Sequence, residues 1–240
     1  MKKIAVSIVV YNEQDSLKKT LTDGYEFLKS LGKDFELWIF NNCSTDNTEI
    51  IIKDFSIDKK EIRYFKQSKN IGYGLNAFSA IKTPKADYIF VIDGDGQYDF
   101  NDILILLKKL ENGNDVVFGW RKDRKDTKIR KITTFCFNIL AKIILNSSLQ
   151  DINCGFKGFN NNASSKINTN YSYNYIGPEI YIQSKFRKLK VGQCEVIHYE
   201  RIGGISYFNG YFSILINALI MIKYLIQLRI RYILKNFDEK

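Results

Sequence analysis

The chain has 240 residues, of which 45% are hydrophobic and only two are proline, so it is a folded protein rather than a disordered tail. That length holds one sizeable α/β domain or two small ones. A formal net charge of +10 favours an anionic partner (nucleic acid, a nucleotide or an anionic membrane surface) without choosing among them, and a Lys-rich solvated surface accounts for it as well. Four scattered cysteines (Cys43, Cys136, Cys154, Cys194) and a single histidine exclude a Cys/His zinc site and fit reduced thiols in a cytosol.

The first apolar run, "IAVSIVV" at 4–10, reads as a buried strand. It is too short for a signal peptide, and Tyr11-Asn12-Glu13 stands where a small-residue cleavage site belongs. Residues 15–30 carry Leu17, Leu21, Tyr25 and Leu28 at helical spacing. "FELWIF" (35–40) is a second strand, and Ser44, Thr45 and Asp46 are candidate caps for the helix after it. A short strand at 62–65 precedes a glycine turn running into a helix at 70–82. Then come a strand at 88–93, a helix ended by Gly113 and a strand at 115–119. Strands and helices alternating over short connections predict a mainly parallel, doubly wound α/β sheet. Beyond 119 the pattern changes to a dense charged loop (120–131), an apolar helix (132–145), loop and strand (151–159), loop and helix (175–188) and a strand (191–200). No Pro/Gly/Ser linker separates this half, so 1–208 is expected to be one domain of two halves, 1–119 and 120–208, the second facing the substrate.

Residues 209–240 form a tail. On a helical projection Asn209, Ser213, Asn217, Lys223, Gln227, Arg231 and Lys235 share a polar stripe, and the rest is almost wholly apolar apart from Arg229. Its purely apolar stretch is shorter than the ~18 residues of a spanning helix, which favours a helix lying in the membrane interface. The alternatives are a helix half buried on the domain and half in a dimer contact, one docked on a membrane subunit, and a true span or hairpin.

The densest chemistry lies in "YIFVIDGDGQYD" (88–99), where a strand ends in Asp93, Asp95 and Asp99. Asp93 and Asp95 emerge at the carboxyl edge of the sheet, where open α/β sheets bind ligands, and Gly94 and Gly96 let them converge. Oxygen ligands suit Mg²⁺ or Mn²⁺ bridging to substrate phosphates. An EF-hand is excluded, because a strand precedes and Leu104 stands at loop position twelve. Asp99 is better placed to cap the next helix.

At this point the chain resembles the family-two glycosyltransferases of GT-A fold, and within them the polyprenyl-phosphate, dolichyl-phosphate mannose synthase-like branch. "SIVVYNEQDSL", "NNCSTDNTEII", "NIGYGLNAFSAI", "DGDGQYD", "VVFGWRKDRKD" with "LQDINCGFKGF", and "HYERIGGISY" follow that family's motifs in order. The resemblance implies that Asp95 is the principal metal ligand, with Asp93 on the ribose or metal and Gln97 supporting the metal shell. It implies that Tyr11, Glu13, Asn41 and Asn70 line the nucleotide site. Arg121, Arg130, Lys157, Arg201 and Ser206 would face donor or acceptor phosphates, a guanidinium fork serving best there. The departures are Asn41-Asn42 for the family's paired aspartates, Cys43 for its glycine, and Lys157 for its arginine.

The implied reaction is inverting transfer from a nucleotide sugar, with Mg²⁺ or Mn²⁺ offsetting charge on the diphosphate. A hydroxyl acceptor requires a general base, and Glu179 is the one plausible carboxylate; a lipid phosphate is already anionic and requires none. The lack of an obvious base, the basic loop and the basic tail together favour a polyprenyl phosphate at the cytoplasmic face of a membrane. The alternatives are a saccharide or lipid-linked oligosaccharide acceptor with Glu179 as base, and an inactive nucleotide-binding relative. A nucleic-acid partner does not fit, because the cations cluster at 121–131 and the C-terminus instead of interleaving with aromatics on an open face.

Overall fold

The computed structural model describes residues 2–168, 176–201, 211–235 and 237, with only the backbone considered at 211–218. Seven strands form one sheet: β1 (Ile4–Val10), β2 (Phe35–Asn41), β3 (Ile62–Lys66), β4 (Tyr88–Asp93), β5 (Val116–Trp120), β6 (Lys157–Asn160) and β7 (Val191–Glu195). Their order is β3-β2-β1-β4-β6-β5-β7. All neighbours are parallel except β6, which runs antiparallel to both β4 and β5.

The alternation of β1 and β4 explains why they read as unbroken apolar runs. Ile4, Val6, Ile8, Val10, Tyr88, Phe90 and Ile92 enter one core, while Ala5, Val9, Ile89 and Val91 enter the other. Both faces are therefore covered, as parallel sheets require. Helices α1 (Leu17–Ser30) and α4 (Ile103–Glu111) cover the first face. The second is covered by α3 (Tyr73–Lys82), α5 (Lys128–Leu145), α6 (Asn161–Lys166), α7 (Ile176–Phe186) and α8 (Tyr211–Ile233). Helix α2 (Thr48–Ser56) packs beside α1.

Two boundaries differ from the sequence reading. Helix α2 starts after Asn47, and Ser44 and Thr45 hold the loop after β1 instead, Ser44 Oγ accepting from Asn12 N and Thr45 Oγ1 from Asn12 Nδ2; Asp46 does both, its Oδ2 accepting from Gln14 N and its Oδ1 from Thr48 N at the helix start. Helix α5 starts at Lys128, inside the expected charged loop, since Thr127 Oγ1 accepts from Arg130 N and caps it. The tail helix α8 packs on the domain: Tyr224, Leu225 and Leu228 are buried in the second core, against α5 and α7, and the opposite face is exposed. Asp99 does cap a helical turn, its Oδ1 accepting from Asn101 N at 2.9 Å.

Candidate active site

Four carboxyl-edge segments meet at one place. The β4 strand ends at Asp93, and Gly94 N donates to Val9 O of β1 at 2.9 Å, so the acidic turn stays against the β1 loop. Gly96 sits at φ +75°, a conformation that costs a side chain free energy, and this turn carries the chain from Asp95 to Gln97. Asp95 then faces Glu13 and Arg201: Arg201 ion-pairs with Glu13, and its Nη1 lies 3.6 Å from Asp95 Oδ2. Burial, then the charge of Asp93, pushes the Asp95 carboxyl up to about 7, against the pull of Arg201. Burial likewise raises Glu13, again opposed by Arg201.

The segment bearing Arg201 is held along the acidic turn. Tyr98 and His198 form an isolated antiparallel bridge, Tyr199 N donates to Gln97 O at 2.8 Å, and Gln97 Nε2 donates to Tyr199 O at 3.0 Å. Tyr199 Oη donates to Asp99 Oδ2 at 2.9 Å. Gln97 thus ties the two segments through its amide nitrogen, an office distinct from the expected metal-shell one.

Asp93 has two neighbours that sequence reasoning missed. Tyr73, the first residue of α3, donates its hydroxyl to Asp93 Oδ1 at 2.7 Å. A Cβ on Gly155 would fall 1.9 Å from Asp93 Oδ2, so only glycine leaves that oxygen its place. Neither contact leaves a periodic signal, because both join residues far apart in the chain.

The nucleotide-side residues are partly absorbed in holding loops. Asn41 is fully buried, with Oδ1 accepting from Ser44 N and Nδ2 donating to Tyr64 Oη. Asn42 donates to Asn70 Oδ1, which also accepts from Gly72 N. Each amide of the pair both donates and accepts there, Asn42 Oδ1 taking the Ile71 N–H at 3.0 Å. Cys43 adopts φ +61°, the left-handed conformation that glycine takes without strain. Tyr11 follows β1, partly exposed, beside Asn12, which is also left-handed at φ +55°.

Several other expected residues are held by partners of their own. The Arg121 fork is filled by Asp151, Nε to Oδ2 at 2.7 Å and Nη2 to Oδ1 at 3.0 Å, and both side chains are buried. Lys157 is buried, its ammonium donating to Cys154 O and lying over the Phe118 ring. Arg130 pairs with Asp126 on the first turn of α5. Glu179 is 2% exposed beneath α8, accepting from Tyr224 Oη at 2.9 Å and Gln183 Nε2 at 3.2 Å, which removes it from any open edge. Ser206 lies outside the described residues.

With this geometry in hand, comparison with known proteins decides the family. The sequence model described as "Glycosyl transferase family 2" matches residues 5–167, more than half of the chain. The chain belongs to glycosyl transferase family 2. This glycosyltransferase also matches the solved structures of glucosyl-3-phosphoglycerate synthase from Mycobacterium tuberculosis. One, bound to Mn²⁺, UDP and glucosyl-3-phosphoglycerate, superposes with TM-score 0.70 at 15% identity, covering 96% of this chain and 80% of that one. Another, bound to Mn²⁺, UDP-glucose and phosphoglyceric acid, gives TM-score 0.68 at 16% identity, covering 95% and 79%. A further mycobacterial protein gives TM-score 0.70 at 14% identity, covering 96% and 74%. At these identities the likeness establishes the fold. Arg201, α7 and α8 lie beyond the segment matched by the family.

The described residues contain no group of three or more Asp, Glu, His or Cys side chains able to cage a metal. The donor set nevertheless fits a hard divalent cation that one or two carboxylates share with a diphosphate. Asp95 carries one hydrogen bond, from Gln97 N at 3.3 Å, and a long ion pair, so its oxygens keep acceptor capacity.

Proposed function

We propose that this glycosyltransferase is an inverting enzyme that uses Mg²⁺ or Mn²⁺ and moves a sugar from a nucleoside-diphosphate donor to a phosphate oxygen of a polyprenyl phosphate. The observation that carries the reading is the pairing of Asp95 and Glu13 with Arg201, at a place where neither Glu179 nor the single histidine, His198, is open to act as a base. Glu179 is under α8, and buried His198 accepts at Nδ1 from Lys125 N, with its pKa pushed down to about 4 by burial and then by Arg121. An acceptor that is already anionic requires neither of them.

In this reading Asp95, with Asp93, holds the metal, which when bound offsets charge on the departing diphosphate. Tyr73 and Gly155 fix the Asp93 carboxylate, and Asn41, Asn42 and Asn70 shape the loops around the nucleoside. Arg201 leaves Glu13 and Asp95 for phosphate oxygens, where its fork binds in pairs. The acceptor oxygen attacks the anomeric carbon opposite the leaving diphosphate, which inverts that carbon. The exposed apolar face of α8 supports a lipid acceptor at a membrane surface, and no described helix is long and apolar enough to cross one.

A second reading, transfer to a small phosphorylated acceptor, is favoured by the neighbours solved with phosphoglyceric acid. One assay separates them: protein, Mn²⁺ and a panel of nucleotide sugars, offered either a polyprenyl phosphate or phosphoglycerate, with products read by mass. A lipid-linked sugar is the expected product. Transfer to phosphoglycerate alone selects the second reading, and donor turnover absent in both arms overturns the enzymatic one.

A further inference from the structure

Helix α5 is apolar on two opposite sides. Phe137, Ala141 and Leu145 face the core, as any packed helix requires. On the other side Ile132 is 63% exposed, Phe135 65%, Ile139 41% and Ile143 73%. Their spacing of three and four positions draws one line along the helix. A helix that meets water on its outer face carries polar residues there. Helix α8 packs against α5 and repeats the pattern: its outer face exposes Ile226 (45%), Ile230 (49%) and Ile233 (62%).

The charges on these two helices are equally one-sided. Neither contains an aspartate or glutamate, although the chain has 26. Lys128, Lys131 and Lys142 lie within or beside the α5 stripe, and Lys223 and Arg229 belong to α8. A second copy docked about a two-fold axis would set these cations against themselves with no acid in either helix to pair them. An anionic lipid surface accepts both the isoleucines and the lysines.

We propose that the outer faces of α5 and α8 form one lipid-binding surface that rests on anionic bilayers. The surface stands on its own observations; its consequence for the acceptor rests on the function proposed above. The loop leading into α5 starts at the end of β5, and its Lys125 N donates to His198, three residues before Arg201. The first turn of α5 therefore lies on the side of the site, and contact along α5 brings that site to the headgroup layer. A lipid phosphate then reaches Arg201 without leaving the bilayer.

Flotation with phosphatidylcholine vesicles, with and without phosphatidylglycerol, tests this. The intact chain is expected to float with the phosphatidylglycerol vesicles, less so at high salt. Ile132→Asp/Ile143→Asp is expected to weaken flotation about tenfold or more, since it replaces apolar contacts by charge. Ile50→Asp, at a comparably exposed site on α2, should float like the parent. Melting temperature and UDP binding report whether each variant is folded. Should the double variant unfold, Lys131→Glu/Lys142→Glu takes its place with the same expectation. The proposal is overturned if the parent stays unbound with both vesicles, if folded variants float undiminished, or if light scattering finds a dimer that the variants dissolve while the parent ignores vesicles. Transfer to a water-soluble phosphorylated acceptor, assayed without vesicles, is expected to survive these substitutions, so a failed surface and a failed enzyme are told apart.

Discussion

Asp93 shows how one carboxylate is fixed by residues far from it in the chain. Its Oδ1 accepts from Tyr73 and its Oδ2 rests where a side chain on Gly155 would stand. Burial and the Asp93 charge hold the Tyr73 hydroxyl well above its ordinary pKa, so it stays a donor across the working pH range. Tyr73→Phe removes that donor and little volume. A hydrogen bond to a charged group is worth ~1.5–3 kcal/mol. Nucleotide affinity in the presence of Mn²⁺ is therefore expected to fall by about tenfold or more, while binding in excess chelator changes little; calorimetry with UDP reads both. An equal loss in the two conditions would make Tyr73 a packing residue only. Tyr73 is invisible in sequence because it occupies an unconstrained position between the two glycines of "NIGYG".

At the scale of elements, the legible parts are those whose burial is uniform. β1 and β4 are buried on both faces, so their apolar runs announce strands, and the acidic motif at the β4 terminus announces the ligand edge. β6 is four residues containing a lysine and a glycine, too short for a period, so its antiparallel insertion is a tertiary fact. The same limit hid the fate of Arg121, Lys157 and Glu179: their residue types suit phosphate or proton chemistry, but the partners that bury them come from other elements. Glu179→Gln distinguishes a base from a strut. Turnover is expected within about twofold of the parent, because the carboxylate lies beneath α8. Stability is expected to drop by about 1 kcal/mol as the Tyr224 and Gln183 hydrogen bonds weaken, measured by urea unfolding. A loss of turnover without a loss of stability would restore Glu179 to the reaction.

For the whole molecule, His198 links acidity to stability. It is 4% exposed and its pKa is near 4, against about 6.5 in an unfolded chain. Between these values the unfolded chain binds the extra proton, so stability is complete above about pH 6.5 and falls as pH drops toward 4. The expected loss from this group between roughly pH 7 and pH 5 is about 2 kcal/mol. His198→Asn keeps an acceptor for Lys125 N and should flatten that limb of the profile, though with a lower plateau; an unchanged slope would assign the acid sensitivity elsewhere.

Glu13 and Arg201 are 188 positions apart, and Gln97 and Tyr199 are 102 apart. A chain leaving the ribosome from its N-terminus presents Glu13, Asp93 and Asp95 long before the guanidinium that offsets them exists. Closing so long a loop is entropically costly and slow. The acidic edge therefore passes through most of synthesis without Arg201 beside it, and a chain stopped before residue 201 holds all seven strands yet lacks the guanidinium that joins Glu13 and Asp95.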